Sequence, residues 1–154
     1  RVDADPDAKF WFKDVETVYE RAYIYHDQAN FDRMVNGNGI YTKNPNRGST
    51  YSSFDKFEQS GTASTRLQVQ EFGNNATYRF EYDVVDVKDS VRVPKGLGDN
   101  DPDGIFEPLT RDYNPPPGGA TQVLVEKDIP IKRVYRIDGQ QAVEVWNIND
   151  GLIQ

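Results

Sequence analysis

Cysteine is absent from this chain of 154 residues, which excludes disulfide bridges, thiolate zinc and iron-sulfur centres, and thiol catalysis. The compartment stays open, because secreted, periplasmic, particle-borne and cytosolic proteins all occur without cysteine. Histidine occurs once, as His26. A histidine-rich metal centre is thereby excluded, and catalysis of the Ser-His-Asp type would have to use that one residue. No serine stands in a G-x-S-x-G turn. No apolar run approaches the ~20 residues needed to cross a bilayer as a helix. Cations are in deficit, with 18 Lys and Arg against 25 Asp and Glu, for a formal charge of -7. That balance argues against nucleic acid as a partner, since such binding rests on a surplus of cations facing phosphates, and against membrane insertion or anionic surfaces.

What the chain does have is aromatic rings and turn formers. Nine Tyr stand against a single Met, which favours pleated sheet over a helical bundle. Short apolar runs separated by Gly, Pro, Asn and Asp point the same way. The length fits one domain that buries about two-thirds of its surface without covalent staples. The expected fold is therefore mainly β, an antiparallel sheet in a sandwich or barrel-like arrangement, with one N-terminal helix. Residues 1–13 read as an arm carrying Asp3, Asp5, Asp7 and the apolar Phe10-Trp11-Phe12. Residues 14–154 read as the single β-rich domain, with long loops at 36–61 and 94–120.

Two patterns compete between Asp14 and Met34. Val15, Val18, Tyr19, Ala22, Tyr25 or His26, and Ala29 recur at helical spacing, with Asp14 as a cap and Asn36-Gly37 as a stop; Tyr23-Ile24-Tyr25 is strand-forming chemistry. The helix is the expectation taken, and His26 is read as a hydrogen-bonded structural residue beside its apolar face. The loop at 36–61 exceeds ordinary connections, so it is either functional or contains short strands. Alternation of Leu67 and Val69, then of Tyr78, Phe80, Tyr82 and Val84, predicts a hairpin with one wet face across Gly73–Ala76. On that reading Glu81 and Asp83 are solvated charges and not the paired carboxylates of a glycosidase. Val85, Val87, Val91 and Val93 extend the strand pattern to Pro94. Asn114-Pro115-Pro116-Pro117 reads as a stiff extended connector. Val123 and Val125 begin a further strand, and Val134–Ile137 meets Ala142–Trp146 across Asp138-Gly139-Gln140-Gln141 in a second hairpin. Leu152 and Ile153 are expected to dock.

One stretch asks for a ligand by its spacing. In Gly98-Asp99-Asn100-Asp101-Pro102-Asp103-Gly104-Ile105-Phe106-Glu107, three carboxylates stand at alternate positions and a glycine follows at once. Three like charges so close repel one another, and a divalent cation at about 2.3–2.6 Å converts that repulsion into binding. Gly104 frees the backbone to turn the next carbonyl, that of Ile105, towards the ion. The string resembles the first half of the D-x-D-x-D-G calcium loops found in EF-hands, dockerin modules and thrombospondin-type repeats. That resemblance covers six residues. The twelfth position, where those loops carry a carboxylate or amide, is Thr110, so closure falls to Glu107, Asp112, a distant residue or water. The expected calcium ligands are Asp99, Asp101, Asp103, the Ile105 carbonyl, Glu107 and Asp112.

With no catalytic constellation in view, the chain reads as a non-catalytic structural or assembly protein of a larger complex or extracellular particle. Its partners would be protein subunits of the same or a neighbouring type. The start at Arg1 leads to the expectation of a processed N-terminus and an extracellular, periplasmic or particle-associated location. A second reading is a secreted carbohydrate-binding module or small glycan-active enzyme, in which Tyr41, Tyr51 and Trp146 stack on sugar rings.

Overall fold

The computed structural model describes residues 19–43, 48–67, 76–94 and 119–153. Its elements in chain order are β1 (Arg21–His26), α1 (Gln28–Asn36), β2 (Ile40–Tyr41), β3 (Thr50–Ser52), α2 (Ser60–Leu67), β4 (Tyr78–Asp83), β5 (Val91–Arg92), β6 (Val123–Val125), β7 (Ile129–Pro130), β8 (Arg133–Asp138), β9 (Gln141–Asn147) and β10 (Gly151–Leu152). The protein is mainly β. Three antiparallel sheets form: five strands in the order β1-β4-β8-β9-β10, three in the order β3-β6-β5, and the pair β2-β7.

The helix expected over 14–34 is corrected between Arg21 and His26, which form β1. The reason lies in the two-residue period. As a strand, the segment sends Ala22 and Ile24 to one face and Tyr23 and Tyr25 to the other, and all four are buried. A helix would have spread them around its circumference beside Arg21 and His26. Helix α1 starts only after Asp27, whose extended backbone and Oδ1 cap it by accepting from the Asn30 N–H at 3.1 Å. It stops where expected, with the Gly37 N–H donating to the carbonyls of Arg33 and Met34. Two residues on, Gly39 adopts φ +90°, and a Cβ there would lie 2.8 Å from the Trp146 ring. Glycine is thus required twice over, for backbone conformation and for space.

The hairpin expected across 73–76 is also corrected. β4 has no free edge for an arm at 66–70, because β1 pairs along one side of it and β8 along the other. Arg66 and Leu67 instead close helix α2, while 68–75 lie outside the described residues. Nor does β4 have a wet face, since Tyr78 to Tyr82 are all buried. After it the expected extension is interrupted: 3-10 turns at Val84–Asp86 and Lys88–Ser90 take up Val85 and flank Val87, and only Val91 resumes a strand, as β5. Val84 and Val87, three apart, reach the core while Val85 is left exposed.

The long stretch at 36–61 contains the short strands β2 and β3. In β6, Leu124 is buried together with Val123 and Val125, so the strand is apolar on both faces. The β8–β9 hairpin forms as expected, with Asp138 opposite Gln141 and Gly139 at φ +60° in the first central position of the turn, as the type II′ geometry requires. The main core draws on all three sheets: Ile24, Phe80, Val134 and Trp146 from the first, Val123 and Val125 from the second, Tyr41 and Ile129 from the pair.

Candidate functional site

Alternation divides the five-stranded sheet into two unlike faces. One carries Ala22, Ile24, Tyr78, Phe80, Tyr82, Val134 and Trp146 into the main core. The other carries Arg21, Tyr23 and Tyr25 from β1, then Arg79, Glu81 and Asp83 from β4, as the pairings of Tyr23 with Glu81 and of Tyr25 with Arg79 establish. β8 adds Arg133 and Tyr135 opposite Glu81 and Arg79. This second face holds the buried charges among the described residues.

Arg79 is 1% exposed and Glu81 3%, so each needs a partner in place of water. The Arg79 Nε donates to Glu81 Oε2 at 3.0 Å, and its Nη1 donates to the Phe57 carbonyl at 2.7 Å. The guanidinium lies between two rings, 4.5 Å from the centroid of Tyr135 and 5.9 Å from that of Tyr23. Glu81 Oε1 faces Arg133 Nη1 at 3.4 Å, so one carboxylate is shared between two cations. Burial pushes the Tyr23 and Tyr135 phenols up, and the Glu81 charge adds to the rise in both. These phenols stay protonated at neutral pH. The expectation that Glu81 is a solvated outward charge is corrected: neighbouring strands on both edges of β4 and cover from the 57–58 segment close water off from it.

Cover over this face is pinned by hydrogen bonds. The Tyr25 hydroxyl donates to the Asp55 carbonyl and accepts from the Phe57 N–H, both at 2.7 Å. Asp55 Oδ2 in turn accepts from the Thr121 N–H at 2.6 Å and from its hydroxyl at 2.9 Å. Desolvation holds the Tyr25 phenol far above its ordinary value.

Beside the buried cluster the face opens into a shallow cavity of about 280 Å³, lined on the sheet by Arg21, Asp83, Arg133, Glu144 and Asn147 and at the rim by Lys132, Ile148 and Asn149. Glu144 reaches it because of a β-bulge. The β8–β9 register shifts between Val134, opposite Trp146, and Tyr135, opposite Glu144, leaving Val145 as the extra residue. Without that insertion Glu144 would pair with Arg136 and stand on the opposite face of the sheet, away from the cavity. The rim is held by Asn147, whose Oδ1 accepts from the Asn149 and Asp150 N–H groups at 3.0 and 2.8 Å.

The described residues hold only some of those singled out from the sequence. Asp99, Asp101, Asp103, Ile105, Glu107 and Asp112, and the Phe10–Phe12 segment, lie outside the described residues. Among the described residues no cluster of three or more His, Asp or Glu side chains could hold a metal ion. Tyr41 and Trp146 are buried and Tyr51 is exposed, so the three rings form no common platform. His26 is hydrogen-bonded locally: its Nδ1 accepts from the Asp27 N–H at 2.9 Å and lies 2.8 Å from Asn30 Nδ2. Burial lowers its pKa, with Asp27 opposing.

Sequence reading missed the Arg79–Glu81–Arg133 cluster because alternating charges on a strand ordinarily mark a wet face. The signal that points to it is β1, apolar on both faces, whose neighbour must then be covered on both faces as well. Comparison with known proteins returns no match to a family model, a curated protein or a solved structure. No helix among the described residues is long and apolar enough to cross a membrane.

Proposed function

We propose that this chain is a non-catalytic structural or assembly domain of a larger complex or extracellular particle, and that Asp99, Asp101, Asp103, the Ile105 carbonyl, Glu107 and Asp112 hold a calcium ion that stiffens the long connection between β5 and β6. The observation that carries the assembly reading is the outer edge of the five-stranded sheet. β10 covers only Trp146 and Asn147 of β9, and Ile153 reaches Val145, so on the side away from β8 Gln141–Glu144 have no neighbouring strand among the described residues. Apolar side chains stand exposed around that edge: Val143 at 39%, Ile148 at 54% and Leu152 at 59%. An edge free of Lys and Pro, with apolar side chains beside it, favours strand addition from another subunit. The buried charges support the non-catalytic reading, because Arg79 and Glu81 are engaged with each other. The same reading takes the sheets as a single sandwich or barrel-like domain, since all three feed one core, and places the protein outside the cytoplasm.

Calorimetric titration of the chelated protein with calcium, with light scattering before and after, tests both halves. The expected result is heat of binding that Asp101→Asn with Asp103→Asn abolishes, and a defined oligomer. A strict monomer across a wide concentration range, with calcium and without, overturns assembly; the absence of heat at millimolar calcium overturns the metal site.

A further inference from the structure

The cavity on the second face gathers both signs of charge around one space, independently of any assembly role. On a chain with a formal charge of -7, three cations, Arg21, Lys132 and Arg133, gather around one space together with two carboxylates, Asp83 and Glu144. Their own pairings do not use them up. Lys132 meets Asp86 at 3.4 Å, and Arg133 meets Glu81 at 3.4 Å, distances longer than the 2.7–2.9 Å of strong charge-assisted contacts. Arg21 and Asp83 are directly opposed across β1 and β4, a placement that ordinarily yields an ion pair. Neither they nor Glu144 make an ion pair or a side-chain hydrogen bond among the described residues.

The backbone around the cavity is held before any ligand arrives. Glu81 orients Arg133 from beneath, and the Ile148 N–H donates to the Lys132 carbonyl at 2.9 Å. Asn147 spends its side chain on the 147–150 turn, donating to Asp150 as well as accepting from the backbone. Ile148, 54% exposed, is the apolar element at the rim. A volume of about 280 Å³ lies below the roughly 300–1,000 Å³ typical of drug-sized ligands, which selects a small molecule over a nucleotide cofactor.

We infer that this cavity binds a small zwitterion of the free amino-acid class, its carboxylate on the long side chains of Arg21 and Arg133, which flank the shorter Asp83 in the strand order β1-β4-β8-β9, its ammonium on Glu144 beyond them, and its aliphatic side chain against Ile148. An anion alone would leave both carboxylates repelling it, and a cation alone would face three positive groups. A ligand carrying both signs meets the cations and Glu144 together. The bulge at Val145 is what places Glu144 opposite the cations.

The test is a titration of the full chain, followed by NMR, with three probes: L-leucine, 4-methylpentanoate, which lacks the ammonium, and 3-methylbutylamine, which lacks the carboxylate. Leucine is expected to bind about tenfold or more tightly than either analogue, since each analogue leaves one set of charges unmet, with shifts centred on Ile148, Asn147 and Asn149. Glu144→Gln should weaken leucine while leaving 4-methylpentanoate as tight or tighter; Arg21→Gln should weaken both. The comparison of probes on the unaltered chain stands even if a variant fails to fold. Absence of shifts at millimolar leucine, equal binding of leucine and 4-methylpentanoate, or shifts centred away from these residues overturns the inference.

Discussion

The two faces of the five-stranded sheet are both largely covered, yet they are held by different physics. On the core side, Phe80 packs edge-on against Tyr41, centroids 5.2 Å apart, and Phe31 stacks on Tyr78 at 4.8 Å; burial of apolar surface does the stabilising, and the buried Tyr82 hydroxyl, bonded to that of Ser52 at 2.6 Å, carries no charge. On the opposite side, Arg79 and Glu81 are withdrawn from water and tolerated only because each answers the other. Apolar packing degrades in proportion to what is removed. A buried ion pair fails when either half is lost, yet tolerates the loss of both.

The largest expected effect follows from that contrast. Glu81→Gln and Arg79→Met should each cost about 3–5 kcal/mol, because each strands a buried charge, whereas Arg79→Met with Glu81→Leu should recover most of the loss. Urea denaturation of the singles and the double measures it, and additive losses would remove the distinction between the faces. Phe80→Ala should also cost about 3–5 kcal/mol, but a second core truncation away from it should add to that cost and not relieve it. Gly39→Ala, which sets a methyl against the Trp146 ring at φ +90°, should cost about 1–3 kcal/mol. A thermal melt reads it out.

Smaller still is the pH effect at His26, at the margin of the sheet. Burial lowers its pKa in the folded state, so the unfolded chain binds more protons in the window below the ordinary histidine value of about 6.5. Stability is full above that value and is lost as pH falls from it through the folded pKa. His26→Gln should flatten this slope between pH 7.5 and 5; an unchanged slope would assign it to other groups. Val143→Lys, at the open edge, should alter stability by no more than about 0.5 kcal/mol while abolishing self-association in light scattering.

What could be read from the sequence follows the range of the interactions. The β8–β9 hairpin was legible because both arms and the turn at Gly139 lie within fifteen residues. β4 was recognisable as a strand, but its partners were not, since β1 lies more than fifty residues upstream and β8 fifty downstream, and alternation alone does not say which strand will occupy an edge. β1 misled because six residues cannot separate a period of two from one of 3.6 when both fit apolar positions. The charged cluster escaped for a related reason: Arg79 and Glu81 look solvated until the cover supplied by Tyr25 and Phe57 is known. The bulge that swings Glu144 to the second face leaves no mark in composition at all.

The contact between Trp146 and Gly39 gives the protein an internal optical gauge. Trp146 is one of two tryptophans in the chain, the other being Trp11, so a Trp11→Phe variant would emit from this indole alone. The ring sits where the α1–β2 turn meets the strand that forms the open edge, and its backbone neighbour is Asn147 of the cavity rim. Docking of another strand, filling of the cavity or loosening of the turn would each alter the polarity or rigidity around one fluorophore, so these events could be followed without adding a label.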